Sequence, residues 1–292
     1  MENKAQQIIP FKMTCSVQSY SHKLNKEAFS LLTTGKSNIF ASDINEESFL
    51  LSFVNTMEDC KTIDHFATIG HLCLSYFIMA LNIATLGHFT WEWNKFAPPL
   101  YKIVNPQHEG INAIIGLQLK GKGKENVENI ITEKEIRNAF LLFIALGKEG
   151  ESNVRKEYLK GILHLSLDFY DIDFHREAFG NFYRSFESFA TERVLKVRKL
   201  QNELKELQKV IINFSKGNTE LAEAFRDLYK LRSGQIMHAQ KKQFEIKKDD
   251  VLKMKVILDL ILHKVYQPVW EKVMKDFKIQ REMGLLNNSK LK

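Results

Sequence analysis

The sequence predicts a mainly α-helical protein, in which a C-terminal helical bundle follows a mixed, mostly helical N-terminal domain. Two observations favour this fold class. No proline occurs between Pro106 and Pro268, so nothing in that span removes a helical backbone donor. From Thr132 onward, apolar residues recur at intervals of three and four, which places them on one face of each helix. The second half is therefore predicted to be a bundle of four or five helices.

The sequence predicts two domains and a tail. Residues 1–150 form an N-terminal domain of unknown type, for which a sensing or regulatory role is expected. Residues 151–277 form the helical domain, and residues 278–292 form a loose tail. Hydrophobic residues make up 44% of the chain and charged residues 26%, a composition that supports a sizeable core and argues against wholesale disorder.

The first half predicts short elements of both kinds. Residues 11–20 alternate loosely between polar and apolar side chains, as a strand does, whereas residues 72–86 carry apolar side chains at helical spacing. Three prolines then interrupt the pattern, and residues 111–119 are a second candidate strand. Residues 120–124 alternate lysine with glycine, but they lack the spacing of a phosphate-binding loop and predict a solvated turn.

The second half predicts a series of helices with readable ends. A helix over residues 133–146 stops near Gly147, and another covers residues 153–168. Asp171 or Asp173 then caps a long helix, whose apolar face persists from Phe179 to Phe214 until Lys216 and Gly217 end it. A shorter helix over residues 221–231 and a last one over residues 251–265, which Pro268 kinks or restarts, complete the series.

Positive charge is concentrated in the second half. The formal net charge is +7. Residues 1–150 carry 14 Lys and Arg against 15 Asp and Glu, whereas residues 151–292 carry 28 against 20, so the two parts have net charges of −1 and +8. This asymmetry favours a negatively charged partner such as nucleic acid. A solvated, lysine-rich helix surface is the alternative.

The cysteines and the N-terminus predict a cytoplasmic protein. Cys15, Cys60 and Cys73 are odd in number and widely spaced, so neither a disulfide framework nor a zinc site is expected. HxxxH and HExxH patterns are absent, and no metal or cofactor is predicted. The first ten residues lack the basic and apolar regions of a signal peptide.

One apolar segment raises the question of a membrane. Residues 69–86 contain no Asp, Glu, Lys or Arg, but they are few for a span and include His71, Ser75 and Asn82. A buried core helix is the favoured interpretation. Membrane contact stays an alternative, because Trp91 and Trp93 follow and such residues also lie at membrane interfaces.

The residues that could carry chemistry lie in the stretch LYKLRSGQIMHA, residues 228–239. Arg232 and His238 would not share a face of one regular helix, because six steps of about 100° align poorly. Ser233 and Gly234 suggest a helix break with a new N-cap, which would let the two side chains converge on one cleft. Arg binds phosphate through two parallel hydrogen bonds, and His can take a proton from a ribose 2′-hydroxyl. By spacing alone, a surface Arg and a packed His are the alternative.

In its context this stretch resembles the signature of HEPN domains, and of their Apea-like branch in particular. In that family an amphipathic helix leads into an Arg, and a His follows after four to six intervening residues. Residues 183–189, with the sequence YRSFESF, are similar to the family's first long helix, which carries a Glu between apolar residues. The resemblance covers roughly residues 171–275. It implies a helical bundle that dimerises, so that two Arg…His motifs surround one cleft.

The resemblance also implies a function. Many members of the family are metal-independent endoribonucleases that serve as toxins or antiphage defence effectors. Arg232 and His238 carry over as the catalytic pair, which drives attack of the 2′-hydroxyl on the RNA phosphate, and Glu187 carries over as the residue that orients the Arg. The expected partners are RNA, a second copy of the chain, and an antitoxin or a trigger-sensing protein.

Two positions depart from the family's pattern. Five residues separate Arg232 from His238, where many Apea-like members have four, and Ala239 stands where Gly is more usual. Some HEPN domains have also lost catalysis. A catalytically inactive HEPN module that binds RNA, a nucleotide or a partner protein is therefore the alternative function.

Overall fold

The computed structural model describes residues 11–33, 38–55, 62–91, 100–104, 111–116, 128–149, 152–169, 172–235 and 245–282. The helices are α1 (Ser30–Thr33), α2 (Ile63–Thr85), α3 (Glu133–Glu149), α4 (Ser152–Ser166), α5 (His175–Ser188), α6 (Glu203–Phe214), α7 (Thr219–Gln235) and α8 (Lys248–Glu282). The strands are β1 (Phe11–Ser19), β2 (Ile39–Ser42), β3 (Ser48–Asn55), β4 (Phe89–Trp91), β5 (Leu100–Val104), β6 (Ile111–Gly116), β7 (Asp168–Phe169) and β8 (Ile172–Asp173). The protein is thus mostly helical, as predicted, with a small antiparallel sheet.

The sheet packs one of its faces against α2. Its strand order is β2-β3-β1-β4, and all neighbouring strands are antiparallel. Phe49, Leu51 and Phe53 alternate along β3 and are all buried, as the two-residue period of a strand requires. Gly70 allows α2 to approach β1 closely, because a Cβ at this position would lie 2.7 Å from the Met13 sulfur. The strand predicted for residues 11–20 is confirmed as β1.

Helix α2 belongs to the core. Thr62 caps its N-terminus by accepting a hydrogen bond from the His65 backbone N–H at 3.1 Å. The Asn82 amide holds β4 to the helix, because it bonds to both the N–H and the carbonyl oxygen of Phe89. The helix is long and apolar enough to cross a membrane by length and composition, but 67% of its most apolar window is buried inside the protein. This burial favours the core helix predicted for residues 69–86.

The apolar core crosses the predicted domain boundary at residue 150. α2 packs against α4 and α8, and α3 packs against α2 and α8. Buried apolar residues from both sides of the boundary belong to one cluster. α3 begins with a capping box, in which Thr132 and Glu135 each bond to the backbone N–H of the other. It ends at Glu149, two residues beyond the predicted stop at Gly147.

The prediction of a single long helix over residues 179–214 is wrong, because two helices, α5 and α6, occupy this span. α5 continues into a π-helical segment, Phe189–Leu195, and Lys196 then adopts a left-handed conformation with φ of 54°. α6 starts anew, with the Asn202 side chain accepting a hydrogen bond from the Lys205 N–H at 3.4 Å. From Val194 to Leu204 the apolar side chains keep a three- and four-residue spacing, so the sequence pattern did not reveal the break.

The ends of other helices also differ from prediction. Ser233 does not cap a new helix, because α7 continues to Gln235 and the Ser233 hydroxyl donates to the Tyr229 carbonyl at 2.9 Å. α8 continues past Pro268 and includes residues 278–282, which were predicted to belong to the tail. Residues 283–292, the Lys–Gly run at 120–124 and Cys60 lie outside the described residues.

The start of α5 agrees with the prediction in one respect. Asp173, one of the two proposed caps, accepts a hydrogen bond from the His175 N–H at 3.1 Å. The helix is preceded by the two-residue pairing of β7 with β8, which lies at the edge of the span predicted to be helical.

A buried ionic cluster joins α4 to α8. The Tyr158 hydroxyl donates to the Asp259 carboxylate at 2.6 Å, and Lys255, one turn earlier in α8, forms an ion pair with the same carboxylate. Lys255 is 1% exposed, and the other two residues are fully buried. Burial raises the pKa of Asp259, although Lys255 and Tyr158 act in the opposite direction. The carboxylate depends on both donors, so the cluster ties the Tyr158 side chain of α4 to α8.

We expect Lys255→Met to lower the free energy of unfolding by about 3–5 kcal/mol, because it leaves the buried Asp259 carboxylate without its cation. Lys253→Met is the matched control, since Lys253 is an exposed residue of the same helix, and should stay within about 0.5 kcal/mol of wild type. Urea unfolding monitored by circular dichroism measures both. Equal stability of the two variants would contradict the role given to the cluster.

His88 links the start of β4 to α4. Its ring stacks on Tyr20 with centroids 4.8 Å apart, and its Nε2–H donates to the Ile162 carbonyl at 3.2 Å. Burial, reinforced by the charge of Lys255, lowers the pKa of His88 to about 3. These contacts give His88 a structural role.

The depressed pKa of His88 predicts a dependence of stability on pH. Between about pH 3 and 6.5 the unfolded chain binds a proton at His88 that the folded protein does not bind, so stability should rise with pH there, by up to about 1.4 kcal/mol per pH unit. His88→Gln keeps a donor for Ile162 and should flatten this dependence in unfolding titrations at several pH values. His65→Gln, at an exposed position of α2, should keep the wild-type slope. Identical slopes in all three proteins would refute the assignment.

Candidate functional site

Arg232 lies in the last turn of α7, on the side that meets α5 and the start of α6. α7 begins just after Gly217, which has a φ of 84°, and Asn218 accepts a hydrogen bond from the Leu221 N–H at 3.0 Å. The Arg232 side chain is 25% exposed. The guanidinium is therefore held by the protein and still open to a ligand from solvent.

Three side chains, those of Tyr183, Glu203 and Glu187, contact the Arg232 guanidinium. Its central carbon lies 4.2 Å from the centre of the Tyr183 ring, a distance at which a cation is attracted to the ring face. Nη1 forms an ion pair with Glu203 and lies 3.4 Å from the Tyr183 hydroxyl. Nη2 lies 3.8 Å from Glu187. Tyr229, one turn before Arg232, reaches Glu203 with its hydroxyl at 3.5 Å.

Glu187, which was predicted to orient the arginine, is thus brought to it from a different helix. Burial raises the pKa of Glu187, while the charge of Arg232 opposes that change. Burial alone would lower the pKa of Arg232, but Tyr183, Glu203 and Glu187 together raise it, so the guanidinium is firmly charged. The site combines one fixed cation with two carboxylates.

The arginine keeps one edge available. Both its short contacts, to Glu203 and to the Tyr183 hydroxyl, use Nη1, and Glu187 is too far from Nη2 for a hydrogen bond. Within the described part of the chain, the Nε–Nη2 edge of Arg232 therefore makes no hydrogen bond. This edge presents two parallel N–H groups, the arrangement that binds two oxygens of a phosphate or carboxylate.

Sequence reasoning did not identify Glu203 or Tyr183 as site residues. On a continuous helix Glu203 would lie sixteen residues, or about 24 Å, from Glu187. The break before α6 turns the chain back and brings both carboxylates to Arg232. Asn202, a residue type typical of helix N-caps, was the signal that could have indicated this new start. Tyr183 precedes Glu187 by one helical turn, so the same face of α5 carries both residues.

His238 lies outside the described residues, three positions beyond the end of α7. The geometry that was to join it to Arg232 required a helix break at Ser233, and α7 has no break there. Its relation to Arg232 stays a prediction.

Other candidate chemistries have less support in the described residues. No group of three His, Cys, Asp or Glu side chains there could hold a metal ion. Burial raises the pKa of the Cys15 thiol to about 12 and also raises that of Cys73. Both thiols are therefore protonated at neutral pH, so neither is an activated nucleophile.

Comparisons of the chain with protein-family models, with curated proteins and with solved structures found no match. The function therefore has to be argued from the site itself.

The side chains of Arg232 and Glu203 should be energetically coupled to each other. A double-mutant cycle with Arg232→Met and Glu203→Gln should give a coupling free energy on the order of 1–2 kcal/mol, because both side chains are about three-quarters buried and share one network. The same cycle on Arg137 and Glu133, whose side chains are 56% and 57% exposed, should give about 0.3–0.5 kcal/mol. Equal couplings would mean that the Arg232 cluster is no more than a surface contact.

Proposed function

We propose that this protein is a metal-independent endoribonuclease of the HEPN type, in which Arg232 and His238 carry the chemistry. The observation that carries the proposal is the approach of Glu187 to Arg232, at 3.8 Å. The two residues are 45 positions apart in the sequence, and the resemblance alone had assigned them to one site. A helical domain built from α5, α6, α7 and α8 is consistent with a HEPN-type bundle.

In the proposed mechanism the substrate supplies the nucleophile. His238 takes the proton from a ribose 2′-hydroxyl, which attacks the adjacent phosphorus and expels the 5′-oxygen of the next nucleotide, and that oxygen takes a proton from water. Arg232 binds the phosphate oxygens through its Nε–Nη2 edge and stabilises their charge in the transition state. Glu187 and Glu203 hold the guanidinium in position without contacting the substrate. The product is a 2′,3′-cyclic phosphate, and no step uses a metal ion.

The net charge of the second half and the resemblance to HEPN domains support further proposals about the substrate, the oligomeric state and the cellular role. The net charge of +8 on residues 151–292 would hold the RNA backbone without reading its sequence. A homodimer would place two Arg232 clusters around one cleft. The protein would act in the cytoplasm as a toxin or an antiphage defence effector, with residues 1–150 sensing a trigger or contacting an antitoxin.

A catalytically inactive HEPN module is the second candidate, and one observation favours it. Arg232 is already paired with Glu203 and stacked on Tyr183, so its charge is largely satisfied inside the protein. An arginine in this state could serve mainly to join α5, α6 and α7. Such a module would bind RNA, a nucleotide or a protein without cutting.

The ribonuclease proposal predicts cleavage of RNA in the presence of EDTA, with 2′,3′-cyclic phosphate ends. His238→Ala should lower the rate by about 10²–10⁴-fold through loss of the base. Arg232→Ala should cost about 10²–10³-fold, and Arg232→Lys should restore activity only in part, because an ammonium lacks the planar two-donor edge. A 2′-deoxy or 2′-O-methyl group at the cut site should abolish cutting. Gel assays and mass spectrometry of the products measure these effects.

His65→Ala and Arg137→Ala are matched controls, since both residues are exposed and distant in sequence from the site, and both should cut at the wild-type rate. Circular dichroism establishes that each variant is folded. A folded His238→Ala protein that cuts at the wild-type rate would reject the mechanism. Wild-type protein that binds RNA and leaves it intact would support the inactive module instead.

A further inference from the structure

A second arginine, Arg155, is buried far more deeply than Arg232. It lies in the first turn of α4 and is 5% exposed. Its Nη1 donates to the Ser75 hydroxyl of α2. Its guanidinium carbon lies 4.9 Å from the centre of the Tyr76 ring. The side chain thus bridges α4 and α2 in the interior, at the boundary between the two halves of the chain.

The charge of Arg155 is not balanced by any described residue. Within the described part of the chain no carboxylate forms an ion pair with it, and its Nε–H is buried with no hydrogen-bond partner. Lys255 and Arg232 are cations that do have a carboxylate partner: Lys255 is paired with Asp259, and Arg232 with Glu203. Removing a guanidinium from water without a counter-ion is strongly unfavourable.

We propose that Arg155 is the centre of an anion-binding site, and that its ligand is a phosphate group. Nη1 is engaged by Ser75 and the buried Nε–H has no partner, so the proposal places the ligand at the Nε–Nη2 edge, whose geometry matches two oxygens of a tetrahedral oxyanion.

The neighbouring side chains also suit this ligand. His71 lies one turn before Ser75 on the same face of α2, and its ring stacks with Trp91 at 6.4 Å between centroids. Partial burial of the ring, reinforced by the charge of Arg155, lowers the pKa of His71, so the imidazole is neutral and can donate a hydrogen bond. His71 is exposed and Trp91 is half-buried, so the arginine lies beneath residues that reach the surface.

An anion at Arg155 would act on the contact between the two halves of the chain. It would tie α2 to α4, and α4 packs closely on α5, where Gly161 lets the Phe182 ring approach to within 2.7 Å of a Cβ position. α5 in turn carries Tyr183 and Glu187. The Arg155 site is separate from the Arg232 cluster, and its existence does not depend on ribonuclease activity.

The proposal is tested with inorganic phosphate as the probe, against chloride at equal ionic strength. At a phosphate concentration about 100 times the dissociation constant, the melting temperature of wild type should rise by on the order of 5 °C. Arg155→Met should abolish this rise and the heat of binding in calorimetry. Arg137→Met, at an exposed position of α3, should respond as wild type does. A nucleoside monophosphate and its uncharged nucleoside show whether the site takes free phosphate or a phosphate ester.

Stability without phosphate supplies the second readout. If the guanidinium lacks a partner, Arg155→Met should be at least as stable as wild type in phosphate-free buffer, because the apolar side chain removes an unpaired buried charge. Arg155→Lys should fold and bind phosphate at least about tenfold more weakly, since it loses the two-donor edge. Three outcomes would overturn the proposal: no response of wild type to phosphate, an undiminished response in either Arg155 variant, or loss of folding in Arg155→Met, which would show that a carboxylate of the chain pairs with Arg155.

Discussion

The carboxylate of Asp259, buried at the contact of α4 with α8, sets the constraint on which the helical packing depends. A buried carboxylate is tolerated only with donors in place, and it finds them in Lys255 of its own helix and Tyr158 of α4. Neither helix can therefore slide past the other without breaking a hydrogen bond to a buried charge. α8 packs against α2, α3, α5, α6 and α7, and the Tyr158 bond adds a polar tie from α4 to this central helix.

The Arg232 cluster follows from that packing. α5, α6 and α7 each lie on α8. α5 contributes the Tyr183 ring and the Glu187 carboxylate, α6 the Glu203 carboxylate, and α7 the guanidinium itself. The turn between α5 and α6 is as important as the helices, because it converts a separation of sixteen residues into a shared contact with one arginine. A left-handed Lys196, normally an unfavourable conformation for a residue with a Cβ, marks the place where the chain accepts strain to make this turn.

The sequence predicted an element correctly wherever the spacing of apolar residues shows which face of a helix or strand is buried. It predicted β1, α2 as a core helix and most helices after residue 132, as well as the presence of Arg232 in an amphipathic helix. It failed where the determining contacts are distant in sequence. The break at residues 196–202 preserves the apolar spacing, Ser233 looks like a cap although α7 continues through it, and Glu203 and Arg155 are defined only by partners from other helices. Such partners are properties of the packed fold and not of a local pattern.

Arg155 and Arg232 each have an Nε–H that bonds to no described residue, in two different electrostatic settings, and the difference bears on what each can do. Around Arg232 two carboxylates compete with an incoming phosphate, and the side chain is 25% exposed, so a bound anion would be held weakly and exchanged quickly. That behaviour suits a group that must release its product. Around Arg155 no described carboxylate competes, and the side chain is almost wholly buried. An anion there would gain the full interaction of a desolvated ion pair, which suits a ligand that stays bound and joins α2 to α4.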